Sequence, residues 1–105
     1  MIKIVQIDEY KPIQGDAVFN IGNASPLANP FQEYYEALGD ELMHIAYRSW
    51  FDYNLKQDKE TNFNRYLRFI LIKAESSNIV LECDDLDKSV HAEVIKNYIE
   101  RSVYL

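Results

Sequence analysis

The chain is poor in the residues that build disulfide frameworks and flexible linkers. Its 105 residues contain one cysteine, Cys83, together with three glycines and three prolines. A single cysteine excludes an intramolecular disulfide and a zinc site made from several cysteines. Few Gly and Pro argue against long linkers, and this length is typical of one domain, which we place at residues 1–105.

Long apolar runs are also missing. No stretch approaches the roughly 20 apolar residues of a membrane helix. The apolar start at residues 1–7 is too short for a secretory signal, and Asp8 and Glu9 follow it directly. We therefore expect a cytoplasmic protein without a membrane span.

Basic residues are outnumbered. Eleven Lys and Arg stand against 17 Asp and Glu, which gives a net charge of −6. Direct nucleic-acid binding is therefore not expected, because phosphate contacts need clustered positive charge. An acidic surface suits solubility or a basic protein partner. The eight Tyr and five Phe serve either the core or a partner surface.

Apolar periodicity predicts three strands and four helices. The strands are placed at 3–7, 17–21 and 79–81, and the helices at 30–38, 40–55, 61–74 and from a cap at Asp87 or Ser89 to about 101. In the helix at 40–55, the inward face is predicted to hold Leu42, Ile45, Ala46, Trp50 and Tyr53, with Met43 and Tyr47 beside it. Helices between the second and third strands favour a right-handed parallel crossover. We expect an α/β fold, a small three-layer Rossmann-like domain with a short, mostly parallel sheet; the alternative is α+β with an antiparallel first hairpin.

The first candidate site motif is the segment 22–31, between a strand and a helix. Asn29 suits a helix N-cap, Pro30 the first helical position, and Gln32 a capping box. Backbone N–H groups at such a start can hold an anion. Side chains that would add hydrogen bonds are Asn23, Ser25 and Asn29. The alternative is a turn and a well-capped helix without a ligand.

The second candidate motif contains Cys83 and His91, at a strand end and a helix start. A helix N-terminus and a histidine base can activate a thiol, whereas a lone Cys is commonly a core residue. Between them lies an acidic loop with Asp84, Asp85 and Asp87. A solvated loop is favoured over a metal site there, because the EF-hand pattern is absent. No metal and no cofactor are assigned.

Together these motifs resemble domain-of-unknown-function family 4326, over nearly the whole chain. The segment Gly22 to Phe31 resembles its Gly-x-x-Ser-Pro-x-x-Asn-Pro-Phe signature, and Tyr47 and Trp50 resemble its Tyr-x-x-Trp. Residues 81–95 are similar to its closing motif, with Cys83 at its first cysteine and His91 at its histidine. The second cysteine position is Asp85 and the third is Val90, and the usual Pro of that loop is Asp87. The resemblance implies a small α/β domain, from a family of bacteria and phages, that has lost any thiol or metal chemistry of the cluster.

Two functional hypotheses follow. In the first, a pocket between the two motifs binds a small anion such as a nucleotide or sugar phosphate, with His91 as the acid or base of any catalysis. Its ligand-binding residues are Gly22, Asn23, Ser25, Asn29, Phe31 and Cys83. In the second, the chain is a non-enzymatic acidic interaction protein, such as a phage-type inhibitor of a host protein, and residues 82–87 contact the partner.

Overall fold

Three short strands form a parallel sheet, and three longer helices pack with it around one core. The computed structural model describes residues 1–103. In chain order the elements are β1 (Ile2–Gln6), β2 (Asp16–Asn20), a 3-10 turn (Gln32–Tyr34), α1 (Tyr35–Leu55), α2 (Asn62–Ala74), β3 (Asn78–Cys83), a second 3-10 turn (Leu86–Lys88) and α3 (His91–Val103). Among these helices, none has the length and apolar character needed to cross a bilayer.

The last strand lies at the centre of the sheet. The order is β1-β3-β2, and both edge strands run parallel to β3. In the register, Leu81 stands between Ile4 of β1 and Phe19 of β2. The predicted α/β class and parallel sheet are confirmed. β1 and β2 do not pair with each other, so the first two strands form no antiparallel hairpin.

The two faces of the sheet are covered differently. Alternate residues of β3, Ile79 and Leu81, belong to the same buried cluster as the apolar faces of the helices. Val80 points to the opposite face and is also fully buried. The loop of residues 7–15 crosses that face from β1 to β2. Its Tyr10 ring lies under the Lys3 ammonium, and the Tyr10 hydroxyl donates to Asp16 at 2.6 Å. The third layer is therefore a loop rather than a layer of helices.

The helix α1 differs from its prediction at both its start and its buried face. No helix spans 30–38; a 3-10 turn leads into α1, and Gly39 interrupts α1 with φ 74° and ψ 176°. That backbone region is open essentially to glycine alone. The predicted inward face is wrong in part. Trp50 packs against the core as expected, but the fully buried residues are Met43 and Tyr47, which were placed beside that face, together with Phe51. The predicted inward residues Leu42, Ile45 and Tyr53 are 55%, 55% and 65% exposed.

The other two helices follow their predicted patterns closely. In α2 the buried residues are Phe63, Leu67, Ile70 and Ala74, and the Thr61 hydroxyl caps the helix by accepting from the Asn64 N–H at 3.1 Å. In α3, Val94, Ile95 and Ile99 face the core as expected. His91 and Ala92 at its first turn are buried as well. The first turn of α3 is thereby held against the carboxyl end of the sheet.

Candidate functional site

A pocket of about 300 Å³ lies where the chain leaves β2 and β3. In parallel α/β sheets this carboxyl edge is the usual place for ligands. Its walls come from the loop after β2, the start of α1, the loop after β3 and the start of α3. The lining residues are Gly22, Asn23, Gln32, Glu33, Tyr35, Glu36, Asp84, Asp85, Lys88, Ser89 and His91.

Asp84 lies against the first two residues of the candidate motif at 22–31. Its Oδ2 accepts a hydrogen bond from the Asn23 N–H at 2.6 Å. The adjacent Gly22 N–H donates to the Asn20 side chain at 2.7 Å. A Cβ on Gly22 would clash with the Asp84 carboxylate in its present position. The two backbone donors expected to meet an anionic ligand are thus already bonded within the protein.

The walls of the pocket are tied together by long polar side chains. Gln6, at the end of β1, donates to the Asp84 carbonyl and accepts from the Leu86 N–H at 2.8 Å, which holds the acidic loop against the sheet. Gln32 donates to the Lys88 carbonyl at 2.9 Å. Lys88 in turn forms an ion pair with Glu36 at 2.8 Å. These contacts fix the start of α1 to the loop before α3.

His91 is buried in the pocket wall, with 3% of its surface exposed. Its Nε2 lies 2.7 Å from the Ile21 carbonyl oxygen, so Nε2 carries the proton and donates. The Tyr47 ring packs edge-on at 5.2 Å between centroids. Burial lowers the pKa of His91, although the bond to Ile21 and the charge of Asp84 act in the opposite direction. The ring is therefore neutral at neutral pH, and Nδ1 is a hydrogen-bond acceptor.

That Nδ1 has no partner. Within residues 1–103 it is the one buried side-chain nitrogen or oxygen that makes no hydrogen bond. An unsatisfied buried polar atom costs about 1–3 kcal/mol, so such atoms are rare in native proteins and point to a missing partner. Here the missing partner is a hydrogen-bond donor.

Cys83 lies in the core rather than on the pocket wall. It is fully buried within the main apolar cluster and does not line the pocket. Burial raises the pKa of its thiol, opposed by a hydrogen bond with Ser89 and supported by the charge of Asp84. A thiol with a raised pKa is a poor nucleophile at neutral pH, because the thiolate is the reactive form.

Three other residues assigned from the sequence, Ser25, Asn29 and the half-buried Phe31, also lie outside the lining. The Ser25 hydroxyl accepts from the Leu27 N–H at 3.1 Å and so stabilises the turn. The Asn29 side chain is buried, where it accepts from the Phe31 N–H at 2.9 Å and donates to Gln32 at 3.2 Å. Asn29 therefore supports the pocket through Gln32. Of the seven candidate residues, Gly22, Asn23 and His91 are brought together.

The pocket carries more negative than positive charge. Four carboxylates line it, from Glu33, Glu36, Asp84 and Asp85, against the single ammonium of Lys88. Like charges at this density oppose a phosphate. The same surface favours amines, hydroxyls and other hydrogen-bond donors. Within the described 103 residues, no group of three or more His, Cys, Asp and Glu side chains is placed to hold a metal ion.

The sequence motifs miss one part of the wall, which comes from Glu33, Tyr35, Glu36 and Lys88. Contacts between residues 52–56 positions apart join Gln32, Glu36 and Lys88, and Gln6 bonds to the acidic loop 78–80 positions away. Because these contacts join residues far apart in the chain, no local sequence pattern predicts them. The acidic run at residues 84–87 was visible, but its contact with Gly22 depends on the strand order.

Comparison with family models, curated proteins and solved structures finds no match to this chain. The fold and the pocket define a small α/β domain with a parallel sheet and a polar cavity at its carboxyl edge. The resemblance to family 4326 remains a hypothesis based on the motifs quoted above.

Proposed function

We propose that this protein is a small-molecule-binding domain, and that the pocket at the carboxyl edge of the sheet is its binding site. The observation that carries the proposal is the unpartnered Nδ1 of His91, buried in the wall of a 300 Å³ pocket. In this conformation the atom is closed off from solvent. A ligand donor would reach His91 Nδ1 only after a side chain of the lining moves.

The ligand chemistry follows from the lining. The sequence alone favours an anionic ligand such as a nucleotide or sugar phosphate. The carboxylates and the His91 acceptor instead favour a group that donates hydrogen bonds or carries positive charge. Such groups are an amine, a sugar hydroxyl or the amino edge of a nucleobase. We propose that a donor-rich group of this kind, and not a phosphate, enters the pocket.

Catalysis is not needed to explain this geometry. His91 holds its proton toward a backbone carbonyl, and Cys83 is a buried thiol. If the domain does react its ligand, the lone pair of His91 Nδ1 is the base we would assign. A cytoplasmic location is part of the same proposal, because it is consistent with a single free cysteine.

A thermal-shift screen tests the binding proposal. The panel would contain amines, nucleosides, simple sugars and, for comparison, sugar phosphates. A ligand at about 100 times its Kd stabilises the folded protein by about 2.7 kcal/mol. We expect donor-rich compounds to raise the melting temperature and phosphates to have no pocket-dependent effect.

Two neutralised variants provide the control. Glu33→Gln changes an exposed pocket carboxylate, whereas Glu41→Gln changes an exposed carboxylate of α1 outside the lining. The first should weaken the shift and the second should preserve it. Equal shifts in both variants, or a panel in which no donor-rich compound raises the melting temperature, would contradict the proposal.

A second candidate function is a protein-interaction role, as for an inhibitor of a host protein. The exposed apolar side chains Leu42, Ile45 and Tyr53 along α1 favour it, because they lie on one side of a helix. The acidic loop with Leu86, which is 44% exposed, is the other candidate surface. A screen in which no small molecule shifts the melting temperature would favour this candidate.

A further inference from the structure

A groove between α1 and α3 gathers hydrogen-bond donors away from the pocket described above. Its volume is about 280 Å³. His44 and Arg48 come from α1, and Asn97 and Arg101 come from α3. Each pair is four residues apart, so each lies on one face of its helix. The groove shares no residue with the pocket at the carboxyl edge.

The two arginines of this groove differ from the other two arginines of the chain in their ion pairs. Arg65 and Arg68 both pair with Glu60, at 4.0 and 3.0 Å. Arg48 and Arg101, by contrast, form no ion pair with any residue of the described range 1–103. In a chain of net charge −6, acidic partners are abundant. Two unpaired guanidinium groups on one groove are therefore a local excess of positive charge.

We propose that this groove is a second binding site, for a small molecule that carries a phosphate group. A guanidinium offers a planar fork of N–H donors that matches phosphate oxygens in bidentate geometry. The Asn97 amide adds a neutral donor, and the buried Val94 contributes an apolar contact. The groove is open enough for a phosphate monoester and is built on two helices packed against each other.

Glu100 is the one group of the lining that opposes an anion. Its carboxylate and the two guanidinium groups of the lining sum to a charge of about +1. The direction of the change in phosphate affinity should therefore depend on which charge is removed. Removing the charge of Glu100 should strengthen phosphate binding, whereas removing either arginine should weaken it.

The experiment is a titration of the purified protein with inorganic phosphate at constant ionic strength, with chloride as the matched salt. Backbone amide shifts in an NMR spectrum report both the affinity and the location. We expect shifts centred on residues 44–48 and 97–101. Arg48→Gln and Arg101→Gln should each weaken the apparent affinity at least tenfold, and Glu100→Gln should tighten it severalfold.

Arg68→Gln is the matched control, because Arg68 is an exposed arginine on α2 outside the groove. Its affinity should stay within about twofold of the wild type. Amide spectra of all variants check that the fold is kept. If phosphate acts no differently from chloride, or if Arg68→Gln weakens binding as much as the groove variants do, the site does not exist. Neither result bears on the separate pocket around His91.

Discussion

Asp84 and Gly22 form a contact that shapes the pocket at the scale of single residues. The Asp84 carboxylate lies in the space that any side chain at position 22 would need. It also accepts a hydrogen bond from the Asn23 N–H, which is then not available to an anionic ligand. A carboxylate of the protein thus satisfies this backbone donor and adds negative charge to the cavity. This contact is one reason why we propose a ligand group that donates hydrogen bonds rather than a phosphate.

His91 gives a prediction about pH at the same scale. Burial lowers its pKa in the folded protein below the ordinary value of 6.5. Between pH 6.5 and the lowered pKa, the unfolded chain binds a proton that the folded protein does not. The free energy of unfolding therefore falls as the pH falls through this range. The decline begins near pH 6.5, continues down to the lowered pKa, and cannot exceed about 1.4 kcal/mol per pH unit.

Urea unfolding between pH 8 and 5 measures this contribution. The wild type should lose more stability over this range than His91→Gln, which cannot titrate. His44→Gln should retain the wild-type dependence, because His44 lies on α1 away from this pocket. Equal pH dependence in the wild type and His91→Gln would show that His91 is not held neutral by burial.

At the scale of the element, α1 carries two neighbouring apolar stripes, and only one of them is buried. Tyr47 and Phe51 contact aromatic partners on both flanks: Tyr47 lies 5.2 Å from His91, and Phe51 lies 5.2 Å from Phe63. The Tyr47 hydroxyl also donates to the Leu27 carbonyl at 2.8 Å. These contacts come from α2, α3 and the loop after β2. Helical periodicity alone does not distinguish the two stripes, since both have the correct spacing.

The adjacent residues Leu42 and Met43 test this assignment directly. Met43 is fully buried and Leu42 is 55% exposed. Met43→Ala should lower the free energy of unfolding by about 2–5 kcal/mol, because a buried side chain is removed and a cavity remains. Leu42→Ala should change it by less than about 0.5 kcal/mol. Chemical denaturation of both variants gives the comparison, and a larger loss at Leu42 would place the other stripe in the core.

At the scale of the whole molecule, the sheet depends on a strand that comes late in the chain. Ile2 of β1 pairs with Ile79 of β3, which also lies beside Ala17 of β2. Neither edge strand has another partner strand within the described residues. The sheet therefore forms only when β3 has been placed between the two edges.

This topology predicts the pattern of amide hydrogen exchange. The amides of β3 should exchange most slowly, near the rate set by global unfolding, because both sides of the strand are paired and Ile79, Val80 and Leu81 are fully buried. Amides on the outer sides of β1 and β2 should exchange faster. Native-state exchange measured by NMR checks this order, and slower exchange in either edge strand than in β3 would contradict it.

The elements with strong local signals could be predicted from the sequence. Alternation in the first strand and short apolar runs in the other two placed the strand ends to within two residues, and the apolar period of α2 and α3 identified the faces that are buried. The parallel sheet followed because helices separate β2 from β3. Each of these inferences depends on interactions between residues close in the chain, or on a topological rule that needs only their order.

Features that need residues from distant parts of the chain to meet are seen only in the folded protein. These are the stripe of α1 that is buried, the contact of Asp84 with Gly22, the bonds by which Gln6 holds the acidic loop, and the bond between Gln32 and Lys88 in the pocket wall. The tertiary structure also brings Arg48 and Arg101 to one groove. The physical reason is the same in each case: burial, charge and hydrogen bonding act through space. The partners are 52–80 positions apart for the pocket ties and 53 for the two arginines.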